Sequence, residues 1–299
     1  MSAQREKAIS YQLSYSSCQA CNSNRKFLFL DNQFYCLDRM LSHLKKLLSY
    51  HELLINIALR DIKARYKQSL LGTTWAIIQP LSLMLIFTAV FSKFLHVQTG
   101  DTPYPIFSYC SLLPWSFFAS SLTFAIPSLI NNSNLVTKIY FPREIFPIAS
   151  IMSCFLDFLV AGILFVFMMF YYHIQISWYV LFVPFIICIQ ILFTLGIAFF
   201  GAAVIVFFRD VRYIVPLGLQ LWMFATPIVY PTNLVPVKYL SMYMLNPMAG
   251  IMDSYRQVIL YRNPPNIKYM GTAVIISLIS FSFAYCFFKK VEMKFADAI

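Results

Sequence analysis

The sequence predicts an all-α integral membrane protein with six transmembrane helices and both termini cytoplasmic. An amphipathic interface helix precedes the first span, and re-entrant outer helices precede the last. Three observations carry this expectation. Of 299 residues, 60% are hydrophobic and only 12% are charged, against the roughly 25% charged residues of soluble domains. No Asp, Glu, Lys or Arg occurs from Gln68 to Ser92, from Thr102 to Thr137, or from His173 to Phe208, and each stretch exceeds the roughly 20 residues a helix needs to cross hydrocarbon. Lys and Arg, finally, fall unevenly around those stretches.

Taken in order, residues 1–39 are polar and lack an apolar core followed by a small-residue cleavage site, so they read as a weakly ordered cytoplasmic extension rather than a signal peptide. Met40, a candidate natural start, opens residues 40–69. There Leu41, Leu44, Leu47 and Leu48 recur at helical spacing while Lys45 and Lys46 face elsewhere, the pattern of a helix lying on a membrane surface. Residues 70–299 form the six-span domain, with spans expected over 70–91, 106–130, 145–171, 178–207, 213–230 and 269–288. The runs are too long and lack the period-2 alternation of barrel strands. With six spans, the side carrying the termini and the second and fourth loops holds 18 Lys and Arg, against 5 on the other side. The positive-inside rule places the richer side in the cytoplasm. The net charge of +11 then meets an anionic leaflet and requires no nucleic acid.

The second loop, 131–147, reads NNSNLVTKIYFPREIFP. Asn131, Ser133 or Asn134 can cap a helix start, and Pro142 and Pro147 bracket its return to the membrane. A short helix here places Leu135 and Ile139 on one face and Val136 and Tyr140 on the next. With Lys138, Arg143 and Glu144 beside it, such a helix suits a groove on a soluble partner. Equally, Tyr140 and Phe141 suit a turn anchored among lipid headgroups. The fourth loop, FFRDVRY, is explained by stability alone, with Arg209 and Asp210 neutralising each other. On the outer side, Met248, Ile251, Met252, Tyr255, Ile259 and Leu260 recur at helical spacing behind Asn246-Pro247. This segment is too short to cross, which predicts a re-entrant or surface helix pair. Trp75, Trp115, Trp178 and Tyr179 read as interface anchors, while other aromatics suit a conduit in which rings stack on sugars.

Chemistry of its own is scarce in this chain. Cys18 and Cys21 form a CxxC with Cys36 and His43 beyond it, a weak zinc pattern better read as incidental thiols, so no metal is expected. Cys110, Cys154, Cys188 and Cys286 read as reduced packing residues in apolar spans. No G-x-x-x-x-G-K-[ST] occurs, so the chain has no P-loop. Asp157 alone lies well inside a span, about 20 Å along a helix from Glu144. One carboxylate without a charged partner makes a poor ion relay, and a helix-packing role is expected for it. What remains is a scaffold or channel, or the membrane half of a machine powered by a partner.

Six stretches in one order carry a resemblance: RDIKARYKQSLLGTTWAIIQPL, LLPWSFFASSL, NLVTKIYFPREIFP, FFRDVRYIVPLGLQLWMFATPIVYP, LNPMAGIMDSYRQVIL and the ending KKVEMKFADAI. Together they resemble the permease subunit of bacterial polysaccharide and polyol-phosphate ABC exporters, within the ABC type-2 transporter family, over Met40 to Ile299. The resemblance implies a multi-pass homodimer in the bacterial inner membrane, paired with two copies of a soluble ATP-binding subunit that holds ATP and Mg²⁺. It implies a lipid-linked glycan such as O antigen, capsule or teichoic acid as cargo, and no catalysis in this chain. Carried over by motif, Asn134 to Glu144 are the ATPase-coupling helix. Arg60, Asp61, Arg65 and Tyr66 lie on the interface helix, and Asn246, Pro247, Tyr255 and Arg256 belong to the re-entrant helices gating the outer mouth. Export of drugs or lipids is the alternative within transport. A membrane enzyme on lipid-linked sugars is the alternative outside it, but Asp101 and Asp253 are few acids for that chemistry.

Overall fold

The computed structural model describes residues 50–67, 71–97, 100, 102–138 and 141–295. The chain divides into two compact units, Met1–His51 and Glu52–Ile299, and the second builds the helical bundle. The expected extension, most of the leucine-patterned stretch and the CxxC lie outside the described residues.

Helix α1 is His51–Tyr66. A short turn of 3-10 helix at Gly72–Thr74 leads into α2, Trp75–Phe87, which loosens into a π-helix over Thr88–Phe94. Helix α3 is Tyr104–Ala125, followed by the short α4, Ser128–Asn131, and α5, Ser133–Lys138. Then come α6, Ile145–Tyr171, and α7, Val183–Phe207, the latter entered through a 3-10 turn at Trp178–Phe182. Helix α8 is Val211–Phe224, α9 Val237–Tyr243, α10 Pro247–Ile259 and α11 Ile267–Val291. No strand occurs among the described residues.

Among the described residues, four segments are long and apolar enough to cross a membrane: Gly72–Phe94, Ile145–Tyr171, Trp178–Phe207 and Ile267–Val291. The two other expected spans differ from these for separate reasons. Helix α3 is long enough, but serines, tyrosines and prolines dilute its hydropathy. It tolerates them because 16 of its 22 residues are buried, so protein rather than lipid surrounds it and small polar residues aid close packing. Helix α8 is apolar but has only 14 residues, about 21 Å at 1.5 Å per residue.

Two helix pairs dominate the packing. In the first, α7 lies against α11 so closely that a Cβ on Gly196 would sit 2.9 Å from the Phe281 backbone nitrogen, a separation only glycine permits. Phe199 fills the space beside it against Phe281, Tyr285 and Phe288. In the second, α3 packs on α6, with Phe117 against Phe155 and Phe158 and the Tyr109 hydroxyl donating to the Ala161 carbonyl at 3.2 Å. Trp115 departs from its expected place at an interface. It is buried, in ring contact with Phe118 and with Trp222 of α8, because α3 is central and its aromatics face neighbours. Cys110 and Cys154 are buried free thiols and Cys188 an exposed one, whereas Cys286, expected to be reduced, is disulfide-bonded.

Candidate functional site

One end of the bundle gathers α1, the 131–147 island and the C-terminal end of α11. The island begins on a side-chain scaffold: Asn132 donates to the Ser128 carbonyl at 2.8 Å and accepts from the Arg60 guanidinium at 2.7 Å. Arg60 also pairs with Asp61 at 2.8 Å. The α1 surface is thereby tied to the start of α5. On α5, Asn134 is exposed, Leu135 half-buried and Val136 buried. Lys138 closes the helix, while Ile139 and Tyr140 lie outside the described residues. Phe141 rests on the Phe146 ring, centroids 5.4 Å apart.

The charged end of the island turns inward. Glu144 is only 3% exposed and meets Lys289 of α11 at 2.5 Å, with the Tyr285 hydroxyl donating to the same carboxylate oxygen at 3.2 Å. Lys289 bridges on to Glu292 at 2.8 Å. The Arg143 backbone N–H donates to the Glu292 carboxylate at 3.2 Å, its guanidinium donates to the Glu292 carbonyl, and it sits 5.9 Å from the Phe295 ring. A buried carboxylate demands such partners. The network joins the island to the last helix through charges that the sequence separates by well over a hundred positions.

Asp157 is the main departure from expectation, since it does have a charged partner. Arg65, near the end of α1, reaches it at 2.7 Å, and the Tyr66 hydroxyl donates to its other oxygen at 2.8 Å. The Arg65 guanidinium also lies 4.8 Å from the Phe124 ring. The correction has a simple cause: the long Arg side chain carries its charge from α1 to a carboxylate on α6, a reach invisible in linear spacing. Burial, and then the bond to the Asp157 carboxylate, push the Tyr66 phenol up to about 12, so it remains a donor. The ion pair forms part of the wall of a cavity of about 530 Å³ that also meets Trp75, Gln79, Ser120 and Phe124. Aromatic faces, hydroxyls and one compensated charge pair can bind a neutral polar chain without fixing one pose.

At the opposite end, α10 starts as the Asn246-Pro247 pattern predicts. The Asn246 side chain accepts from the Met248 N–H at 3.1 Å, and Pro247 occupies the first turn, where a missing N–H costs nothing. Asn246 also accepts from the Trp222 indole at 3.2 Å and donates to Thr226 at 3.0 Å, linking α10 to α8. Gly250 lets α10 approach α11, since a Cβ there would lie 2.9 Å from the Tyr269 carbonyl oxygen. Tyr255 donates to Gln190 at 3.0 Å, and Gln190 in turn donates to the Pro114 carbonyl at 2.7 Å. Arg256 is 1% exposed, donates to the carbonyls of Ile228 at 2.6 Å and Tyr230 at 3.2 Å, and stacks 3.8 Å from the Phe107 ring. Of the expected outer-gate residues, Tyr255 and Arg256 are buried and fasten α10 to α3, α7 and the 225–231 turn.

Sequence reasoning missed three participants. Gln190 had a signal, because it is the one side-chain amide in the otherwise apolar 178–207 run. Lys289 and Glu292 had none, since charges at the end of a last span are ordinary membrane-edge residues.

With this geometry in view, the relatives of the chain become informative. The sequence pattern of the ABC-2 type transporter family matches residues 52–260. An O-antigen export system permease protein RfbA of Klebsiella pneumoniae is 32% identical over 254 residues, covering 83% of this chain and 95% of that protein. Its namesake in Myxococcus xanthus is 29% identical over 262 residues, covering 87% of this chain and 100% of that protein. The polysialic acid transport protein KpsM of Escherichia coli is 23% identical over 207 residues, 68% of this chain and 79% of that protein. The matched region begins inside α1 and takes in the island, the Asp157 pair and α10, so the chain belongs to the ABC-2 type transporter family.

Proposed function

We propose that this chain is the membrane permease subunit of an ATP-driven exporter that moves a lipid-linked polysaccharide across the bacterial inner membrane. The observation that carries the reading is similarity to O-antigen export permeases along nearly their whole length. The absence of any P-loop in the sequence fits a division of labour in which ATP and Mg²⁺ bind a separate soluble subunit, present in two copies. On this reading the chain crosses the membrane six times, with α3 and α8 joining the four long apolar segments. Both termini are cytoplasmic, which is supported by the meeting of α1, the island and the end of α11 at one end of the bundle. A second copy of the chain completes the conduit. Helix α8 offers a face for it: Leu219 is its one buried residue, while Tyr213, Ile214, Leu217 and Leu221 are exposed.

The island transmits the partner's work. Asn134 and Leu135, with Ile139 and Tyr140, form the docking surface, and Lys138 adds charge. Val136, Arg143 and Glu144 brace that surface from within, and Phe141 seats it on α6. Arg60 and Asp61 steady it from α1.

The test combines export with assembly. Deleting the gene should make lipid-linked glycans accumulate on the cytoplasmic side, identifiable by mass spectrometry, and Leu135→Asp with Tyr140→Ala should abolish copurification of the ATP-binding subunit while leaving membrane insertion intact. Unchanged glycan pools in the deletion strain would overturn the export reading, and full copurification from the double variant would overturn the docking surface.

A further inference from the structure

A second cavity, of about 340 Å³, opens beside α10 at the end away from the island. It lies at the lower end of the range for small-ligand pockets. Its lining combines Asp253, Arg256, Gln257, Asn263 and the rings of Phe107 and Tyr261. The chemistry of this set is specific. One carboxylate and one guanidinium make the described lining formally neutral, which disfavours a strongly anionic or cationic ligand. Carboxylate, guanidinium and two carboxamides are all planar groups that present paired donors or acceptors, the geometry that adjacent hydroxyls on a ring require. The half-buried Tyr261 ring offers an apolar face for the C–H side of such a ring, while the Phe107 ring backs the Arg256 guanidinium.

Polarity beside the cavity is also incompletely satisfied. Arg256 is 1% exposed, and its Nε–H is buried without a hydrogen-bond partner among the described residues, although the two Nη groups are occupied by the Ile228 and Tyr230 carbonyls. A buried donor left open is costly unless something fills it. Asp253 is 8% exposed, and among the described residues its one hydrogen bond is from the Thr232 hydroxyl at 3.0 Å, leaving acceptor capacity on the carboxylate. Neither group is needed to hold α10 in place beyond the bonds already named.

We propose that this cavity is a saccharide-binding subsite that takes one neutral sugar unit of the exported glycan at the outer mouth. The proposal rests on the polysaccharide reading and adds to it a place where the emerging chain is held. Asp253 and Gln257 bind adjacent hydroxyls, and the half-buried Tyr261 ring faces the sugar. A weak site of this kind opposes backward slippage between power strokes without fixing the chain.

The experiment uses the full chain, in cells that contain its ATP-binding partner and make their own glycan. A photo-crosslinking p-benzoylphenylalanine is placed at Asn263, which is exposed at the rim, at Thr123 on the larger cavity, and at the surface residue Ile279 as a control. After illumination, adducts on the purified protein are oxidised with periodate and labelled with a biotin hydrazide, which reports sugars that carry vicinal hydroxyls. The expected result is a sugar-positive adduct from positions 263 and 123 and none from 279. Asp253→Asn and Gln257→Ala should each lower the adduct at 263 by at least about fivefold, the loss of one good hydrogen bond, and leave the adduct at 123 unchanged. Asn keeps an acceptor for Thr232, and the adduct at 123 certifies a folded, working variant. Sugar at 123 without sugar at 263, or an adduct at 263 indifferent to both substitutions, overturns the subsite and leaves polysaccharide export standing. Sugar at neither position overturns the polysaccharide reading itself.

Discussion

Glu144 separates two roles that look alike in sequence: a contact offered to the ATP-binding subunit, or an internal brace between the island and α11. The structure favours the brace, because the carboxylate is 3% exposed and lies 2.5 Å from Lys289. Glu144→Ala strands the Lys289 ammonium beside one remaining carboxylate, Glu292 at 2.8 Å, and removes the acceptor of Tyr285. Breaking a fully buried pair from one side costs about 3–5 kcal/mol. Lys289 is 21% exposed and keeps its second partner, so the expected loss is about 2–3 kcal/mol. Lys289→Met should cost a similar amount, and the double variant Glu144→Ala/Lys289→Met should cost clearly less than the two losses added, with a coupling of about 1–2 kcal/mol. The assay is thermal stability of the purified permease in detergent, read by the fraction still monodisperse after heating, alongside copurification of the ATP-binding subunit. A brace predicts lost stability first, with partial recovery in the double variant. Undiminished stability in Glu144→Ala together with lost copurification would refute it and return Glu144 to the docking surface.

Two further predictions test the frame around the conduit. Asp157→Ala leaves Arg65 unpaired beside Tyr66 and should cost about 2–3 kcal/mol, whereas Arg65→Met with Asp157→Leu should recover most of that loss, since a well-packed apolar pair replaces an ion pair at little cost; the same heating assay reads both, and equal losses would show that the pair itself is required. Gly196→Ala pushes a methyl to 2.9 Å from the Phe281 backbone and should cost about 1–3 kcal/mol by parting α7 from α11, whereas Gly162→Ala meets nothing within 4 Å and should be neutral; matching melting behaviour in these two variants would show that α7 and α11 do not approach so closely.

Much of the architecture was legible because hydrocarbon is an unforgiving solvent. A run that must satisfy its own backbone and avoid charge can only be a helix, so the apolar segments at 145–171, 178–207 and the last span announced themselves. The start of α10 was equally local, since Asn246-Pro247 carries its cap and its first-turn proline in two adjacent residues. The island was legible only coarsely: α5 is Ser133–Lys138, preceded by Asn132 rather than by an expected cap, and 141–144 lie outside the helix.

What local pattern could not decide is which way polar groups face and whom they meet. Glu144 and Lys289 are far apart along the chain, as are Arg65 and Asp157 and as are Tyr255 and Gln190. Each pair exists only once two helices have been laid side by side. A buried charge or amide must find a partner wherever the packing puts one, and periodicity says nothing about which helix supplies it. The sequence by itself therefore determined a helical membrane chain without a P-loop motif, the extent of its long apolar helices and the start of α10. Only the tertiary structure decided that Glu144, expected on the coupling helix, and Arg256, expected at the outer gate, are held inside. The physical reason is that desolvating a charge is costly enough to dictate its neighbours but not to reveal them in advance.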